Sequence, residues 1–359
     1  MKLPLHFQRY STLSAVALVF GLSAVASSAL AQQGTVTFAS WGGAFQDSLR
    51  KAFIKPAEEK LKIKIKEDTT NGIADIRSQI NAKAVTWDIK EDSLDVCAQL
   101  KSEGSLEPLD YSQINTTGIP PELVNSHWIG FVNFTKVIAW RTEKFGPNGP
   151  KNFADFWDVK KFPGKRSMYA KVNYALEAAT MADGVPPEKV YQALSTPAGV
   201  EKAFKKMEEI APHINVWYRG GSQSAQLLKD GEVDIIHMGV NRVEAVKGDG
   251  AKVAYTFNQG TMDVDCVLVP RGAPNKQLAM KVINEFVDAK NQAQIAKLIP
   301  IGPVNTNAFK TGILTEQEIA ANNTAPANYK LQLLVDPAFY AGRLDKLQER
   351  YDALIQRNK

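Results

Sequence analysis

Residues that carry chemistry are scarce in this chain of 359 residues. The four histidines, His6, His127, His213 and His237, stand at no metal-ligand spacing from one another or from a cysteine, so no metal site is expected. Cysteine is confined to Cys97 and Cys266, one on an expected helix and one on an expected strand. Two small buried hydrophobes is the favoured reading over a disulfide, although spacing alone does not show whether they meet. Neither charge dominates, since 43 Lys and Arg face 38 Asp and Glu for a net charge of +5, with basic residues interleaved among acids. That pattern offers no electrostatic track for phosphates and argues against nucleic acid as a partner. No Walker A sequence is present, and Gly248-Asp249-Gly250 does not open a G-x-G-x-x-G fingerprint. Gly220-Gly221-Ser222-Gln223-Ser224 lacks the closing glycine of a nucleophile elbow. No catalytic residue, metal or cofactor is expected, and the chain does not read as an enzyme.

Long apolar runs are also missing. The longest, Leu13 to Ala26, is 14 residues, short of the roughly 20 that cross a bilayer. It follows Lys2 and Arg9 and precedes Ala29-Leu30-Ala31, an A-x-A cleavage site before Gln32, so it reads as a secretory signal peptide cleaved after Ala31. The expected product is soluble and periplasmic, with a net charge of +3 once Lys2 and Arg9 are gone, and no cysteine at the cleavage site offers a lipid anchor. With 44% hydrophobic and 23% charged residues the rest is an ordinary globular composition, too long for one core and expected to form two lobes.

What is present is alternation of strand and helix. Strand Thr35 to Ala39 leads through Trp41-Gly42-Gly43 into a helix from Ala44 to Leu61. A strand at Ile63 to Lys66, a helix at Ile73 to Ala82, a strand around Trp87 to Ile89 and a helix from Ser93 to Lys101 follow. After a linker rich in Pro, Gly and Asn at Phe145 to Asn152, the theme returns. Helices are expected at Ala175 to Ala182, Pro187 to Leu194 and Pro197 to Ile210, then strand Ile214 to Trp217 into helix Ser222 to Lys229, and strand Val233 to Met238 toward a helix near Val243. This is an α/β fold with parallel sheet. Ligands in such sheets sit beyond the carboxyl ends of strands, at helix N-termini, which here are the turns at Trp41-Gly42-Gly43, Ser222 and Asn241. Asp263 and Asp265, two apart, share one face of a strand; as a pair they form a charge site or, with a base to orient them, acid and base of an exported enzyme.

Several phrases taken in order carry a family resemblance. Val36-Thr37-Phe38-Ala39-Ser40-Trp41-Gly42-Gly43, Leu106-Glu107-Pro108-Leu109-Asp110, Asp155-Phe156-Trp157-Asp158 running to Arg166, Ala182-Asp183-Gly184-Val185 and Gln226-Leu227-Leu228-Lys229-Asp230-Gly231-Glu232-Val233-Asp234 together resemble the polyamine-type solute-binding proteins of bacterial ABC importers. The resemblance covers nearly the whole mature chain. It implies the two-lobed periplasmic binding protein fold of type II, closing by a hinge on a small-molecule ligand. It implies lobe 1 at 32–137 with 266–307 and lobe 2 at 138–265 with 308–359, crossings near Thr135 to Trp140 and Val264 to Pro270, and a return near Gly302 to Asn307. The partners implied are the ligand and an ABC permease in the inner membrane, with the binding protein a monomer.

The resemblance also assigns positions. Trp41 falls at the first aromatic contact, beside Gly42, Ser93 at a polar contact, and Asp265 at the carboxylate that meets an ammonium. Asp95 stands where an aromatic is usual, and is either a second ammonium acceptor or an acid suited to the first turn of a helix. Where polyamine binders present two carboxylates this chain has Lys171 and Tyr174, and the later tryptophan position is Gly239. Arg219 and Arg242 lie near glycine turns facing the cleft. A lysine in place of a carboxylate repels a dication, so the residues favour a zwitterion such as γ-aminobutyrate, held at Asp265 with Lys171, Arg219 or Arg242 on its carboxylate. Putrescine or spermidine is the family expectation, and a small anion a further alternative. No two tyrosines are adjacent, which disfavours ferric iron. Trp217 is as much a core residue as a cleft residue, and Glu177 reads as structural.

Overall fold

The protein was analysed as a computed structural model, which describes residues 34–358; the expected signal peptide and its cleavage site lie outside the described residues. Ten strands form one sheet in the order β2-β1-β3-β8-β4-β7-β5-β6, with β10 on β8 and β9 on β4. They are β1 Thr35–Ser40, β2 Lys64–Thr69, β3 Ile89–Ser93, β4 Trp128–Arg141, β5 Arg166–Tyr169, β6 Ile214–Tyr218, β7 Ile235–Gly239, β8 Val253–Leu268, β9 Gly302–Pro303 and β10 Leu333–Leu334. Two parallel trios, β2-β1-β3 and β7-β5-β6, flank a central antiparallel ribbon of β8 and β4. Parallel strands need helical crossovers that cover both faces, so the trios are apolar, as in Val36, Phe38 and Ala39 of β1 or Ile235, Ile236 and Met238 of β7, all fully buried.

The ribbon strands have 14 and 16 residues, so at about 3.4 Å per residue each reaches roughly 50 Å and serves more than one core. Trp128, Ile129, Phe131 and Val132 of β4 and Val264, Cys266, Val267 and Leu268 of β8 pack into one core with β1–β3. Ile138 and Trp140 pack into a second core with Phe153, Phe156 and Leu176. Val137, Ala139 and Val253 pack into a third beside β7. Between these apolar ends β4 carries Asn133, Phe134, Thr135 and Lys136, and β8 bulges where the pairing jumps from Lys136↔Thr261 to Ile138↔Thr256. This polar interruption is where the functional cavity lies.

Most expected elements form within a residue or two. The helix from Ala44 to Leu61 contains a π-helical turn at Arg50–Ile54 between Gly43–Leu49 and Lys55–Leu61. The return expected at Gly302 to Asn307 instead pairs with β4 at Val132 and Asn133, while Ile301 and Val304 join the first core. Ala308, Leu314 and Ile319 stay beside Ala293. The chain reaches the second core later, where Asn323 Nδ2 donates to Asn133 Oδ1 and Thr135 Oγ1, and β10 pairs with Thr261 and Met262. The cysteines correct the sequence reading. Cys97 and Cys266 are disulfide-bonded across 169 residues, Cα to Cα 6.8 Å, because antiparallel pairing of β3 with β8 sets Cys266 opposite Asp92 and the helix Leu94–Ser102 folds straight back over it.

Candidate functional site

A cavity of about 260 Å³ opens at the polar stretch of the ribbon. Its lining includes Phe134, Thr135, Lys136, Tyr169, Tyr174, Tyr218, Ser224, Asn241, Arg242, Thr261 and Asp263. The two trios and the ribbon supply it as α/β folds do, from strand ends and the helix N-termini that follow them. Gly221 and Asn241 sit in the first turns of the helices Gly221–Lys229 and Val240–Gly248.

Tyr174 is the most constrained of these side chains. Although it lies within the helix Val172–Ala182, its φ of 79° and the ψ of 135° at Asn173 break that helix, so regular winding begins at Ala175. A tyrosine in the left-handed region is strained by roughly 1 to 3 kcal/mol. What holds it is its hydroxyl, which donates to Asp263 Oδ2 at 2.5 Å, and the placement of its ring 3.6 Å from the Lys136 ammonium. Burial raises the Tyr174 pKa far above its ordinary value, with the Asp263 charge adding to it. Lys136 also sits 5.2 Å from the Tyr169 ring. Burial lowers its pKa to about 8, against the opposing pull of Asp263, while Lys171 pushes the same way as burial. His237 beneath it donates to or accepts from Thr261 Oγ1 at 3.1 Å, and burial together with the Lys136 charge lowers its pKa to about 3, so it is neutral.

Two residues along β8, on the same face as Asp263, a second cluster is built around Asp265. Trp41, 42% exposed at the end of β1, donates its Nε1 to Asp265 Oδ2 at 3.3 Å. Ser93 is paired with Asp265 across the β3–β8 ladder. Glu91, fully buried, accepts from Ser40 Oγ at 2.5 Å and lies within hydrogen-bonding reach of Asp265. The charge of Asp265 further disfavours ionisation of Glu91. Desolvation raises the Asp265 pKa to about 8, reinforced by Asp263 and Asp92, and burial raises Glu91 well above the ordinary range. Lys90, also fully buried, is neutralised by an ion pair with Asp92 and lies 5.6 Å from the Trp41 ring. The site is therefore bipolar, with protonatable carboxyls and an indole at one end and cations among tyrosines at the other.

The residues singled out from sequence divide accordingly. Tyr174, Asn241, Arg242 and Asp263 line the cavity, and Trp41, Ser93 and Asp265 form the neighbouring cluster. Asp95 is half-buried in the first turn of Leu94–Ser102 and, with Asn173, lines a small gap on the other side of Asp263. Lys171 is exposed at the rim, 5.7 Å from the Tyr169 ring. Gly42 caps a helix with φ 74° and does not line the cavity; a Cβ there meets Thr69 Cγ2 at 3.0 Å. Arg219 and Ser222 do not line it either. Both are exposed, and Arg219 only offers its backbone N–H to Gln223 Oε1. In the helix Gly221–Lys229 the inward positions are Gly221 and Ser224, one turn apart, which turns Ser222 away. Trp217 is a core residue, edge-on to Tyr351, and Glu177 accepts hydrogen bonds from Tyr191 and Tyr340 inside the second core.

Sequence reasoning missed Lys136, Tyr169, Tyr218, Thr261 and Glu91. Lys136 left a trace, a charge set between Phe134-Thr135 and Val137-Ile138 in an otherwise apolar strand. Among the described residues no group of His, Cys, Asp and Glu is arranged to hold a metal ion, and no helix is long and apolar enough to cross a membrane.

Comparison with known proteins places this geometry. Residues 51–327 match the bacterial extracellular solute-binding protein family. The chain is 32% identical over 344 residues to the gamma-aminobutyric acid-binding protein of Pseudomonas aeruginosa, covering 94% of this chain and 96% of that one. It is 23% identical to the spermidine/putrescine-binding periplasmic protein of Escherichia coli K12, covering 87% and 88%. The crystal structure of the PBP MotA from A. tumefaciens B6 in complex with glucopine is 38% identical, with a TM-score of 0.78, covering 89% of this chain and 99% of that one. The fold is the two-lobed one of periplasmic binding proteins, as the resemblance implied. On the extent of these matches the chain belongs to the bacterial extracellular solute-binding proteins.

Proposed function

We propose that the protein is exported, cleaved after Ala31, and acts in the periplasm as a monomer that captures a small amine-bearing solute between two lobes and hands it to an ABC permease in the inner membrane. The observation that carries the reading is the Trp41–Asp265–Glu91 cluster beside an open cavity. An indole face and buried carboxyls are what an alkylammonium seeks, and an arriving cation offsets the burial that disfavours the Asp265 charge. The separate cores support lobe 1 at 34–132 with 264–321 and lobe 2 at 137–253 with 333–358, joined by three crossings at 133–136, 254–263 and 322–332. A hinge at the polar crossings lets the lobes close on solute.

A zwitterion of the γ-aminobutyrate kind is the first ligand to test, since Arg242 lines the cavity and Lys171 stands at its rim, which disfavours putrescine and spermidine. The relative that binds γ-aminobutyrate supports this order. The relatives are substrate-binding transport proteins, which favours binding over catalysis by Asp263 and Asp265. The test is a thermal-shift screen of the chain from Gln32, refolded to strip carried-over ligand, against ω-amino acids, diamines and plain carboxylates. At 100 times its dissociation constant a ligand stabilises by about 2.7 kcal/mol, easily seen as a higher melting temperature. No shift with any amine would refute the reading.

A further inference from the structure

We infer that Lys136 is the residue that recognises an anionic group on the solute, so that the site selects molecules carrying both an ammonium and a carboxylate. This rests on the amine-binding reading above and deepens it.

Lys136 is a cation facing the cavity with no carboxylate in ion-pair contact among the described residues, although the charges of Asp263 and Asp265 act on it from further off. Asp263, its natural partner, is occupied at both oxygens: Oδ2 by the Tyr174 hydroxyl and Oδ1 by the Val264 backbone N–H. Asp265 is turned to Trp41 and Glu91. The remaining ionisable groups facing it are His237, which is neutral, and the cations Lys171 and Arg242. Among the described residues Lys136 forms no ion pair, and only the faces of Tyr174 and Tyr169 steady it. The contrast with Lys90 is instructive, because that lysine, buried for packing, has Asp92 directly on its ammonium. A desolvated cation left unpaired on a cavity wall is costly to the empty protein, and a carboxylate arriving between Lys136 and Arg242 relieves that cost.

Register sets the span. Asp265 pairs with Val132, Asp263 with Phe134 and Thr261 with Lys136. Along an extended strand that separates the Asp265 and Lys136 levels by about 13 Å, with Asp263 midway. A solute whose ammonium lies toward Asp265 and Asp263 thus directs its far end at Lys136. A second ammonium there meets a like charge, and a carboxylate meets its complement.

The experiment is calorimetric titration of the stripped wild-type chain, Lys136→Met and Lys136→Arg with γ-aminobutyrate, its uncharged amide 4-aminobutanamide, putrescine, and butyrate. Circular dichroism checks that each variant folds. Lys136→Met is expected to weaken γ-aminobutyrate roughly 10- to 150-fold, as for a lost hydrogen bond to a charged group, leave the amide nearly unchanged, and improve putrescine, while Lys136→Arg keeps most of the affinity. Equal losses for γ-aminobutyrate and its amide overturn the inference while leaving amine capture intact. Wild-type binding of butyrate but of no amine, abolished in Lys136→Met, keeps Lys136 as the carboxylate contact but overturns amine capture and with it the selection for zwitterions. Binding of putrescine in preference to γ-aminobutyrate by the wild-type chain overturns the inference, and binding of none of the four overturns both.

Discussion

Replacing Asp265 with Asn should weaken an amine ligand by an amount that grows with pH, and the structure sets the size. A carboxylate and an ammonium about 4 Å apart attract by roughly 4 kcal/mol at an effective dielectric near 20, a fair value for a group only 9% exposed. In the empty site, however, Asp265 holds its proton up to about pH 8, because burial and the neighbouring Asp263 and Asp92 disfavour its charge. Ionising it at pH 7 costs about 1.4 kcal/mol, one pKa unit, so the variant should lose only about 2.6 kcal/mol there, roughly 80-fold in Kd. At pH 9 the carboxyl is already ionised and the full 4 kcal/mol, roughly a thousandfold, should appear. The ligand ammonium is charged at both pH values, since an alkylammonium titrates near about 10.4. Deprotonation of Lys136 above pH 8 weakens both proteins, and because the Asp265 charge helps to keep Lys136 protonated, its loss in the variant adds to the ratio in the same direction. Calorimetry with γ-aminobutyrate on the stripped chain measures it. A ratio of variant to wild-type Kd that stays constant from pH 7 to 9, or a loss below fivefold at pH 9, would refute the assignment of Asp265 as the ammonium acceptor.

The same two groups should shape the wild-type pH profile. The ligand ammonium needs Asp265 deprotonated, so affinity falls as pH drops below about 8, whereas its carboxylate needs Lys136 protonated, so affinity falls as pH rises above about 8. A zwitterion should therefore bind best near pH 8 and a plain amine should show only the acid limb; identical profiles for the two would count against the bipolar site. Tyr174→Phe frees Asp263 to pair with Lys136, and γ-aminobutyrate affinity should drop roughly tenfold by calorimetry, an unchanged Kd arguing that the tyrosine only fills space. Lys171→Glu, at an exposed and screened rim position, should change Kd by less than about fivefold, and a larger effect would place Lys171 on the ligand. Reducing the Cys97–Cys266 bond, or changing both to Ser, should cost about 2 to 5 kcal/mol in urea unfolding, given the 169-residue separation; equal midpoints with and without reductant would show the bond adds nothing.

Much of the frame was legible because local rules set it. Glycines after strands at Gly42, Gly220 and Gly239 mark the helix N-termini, and apolar parallel strands such as Val36 to Ala39 can only be interior. Trp41 and Asp265 were legible by resemblance, and the structure brings them into hydrogen-bonding distance although 224 residues separate them. Lys136 was not legible, because a lysine in a strand is ordinarily an edge or solvent residue, and only its placement between two cores makes it a cavity wall. Ser222 and Arg219 misled because a turn near a cleft does not say which side of the following helix faces inward. The cysteines misled for the same reason, since spacing along the chain carries no distance in space.

The sequence alone determined the α/β class and the family, both of which depend on composition, period or short phrases. Tertiary structure decided which charges are neutralised. Lys90 receives Asp92, Lys136 forms no ion pair among the described residues, Asp263 accepts from Tyr174, and Glu91 and Asp265 are buried side by side so that each is held above its ordinary pKa. These outcomes depend on strand register and on desolvation, which act through distances of a few ångströms between residues far apart in the chain, and so they arise only on folding.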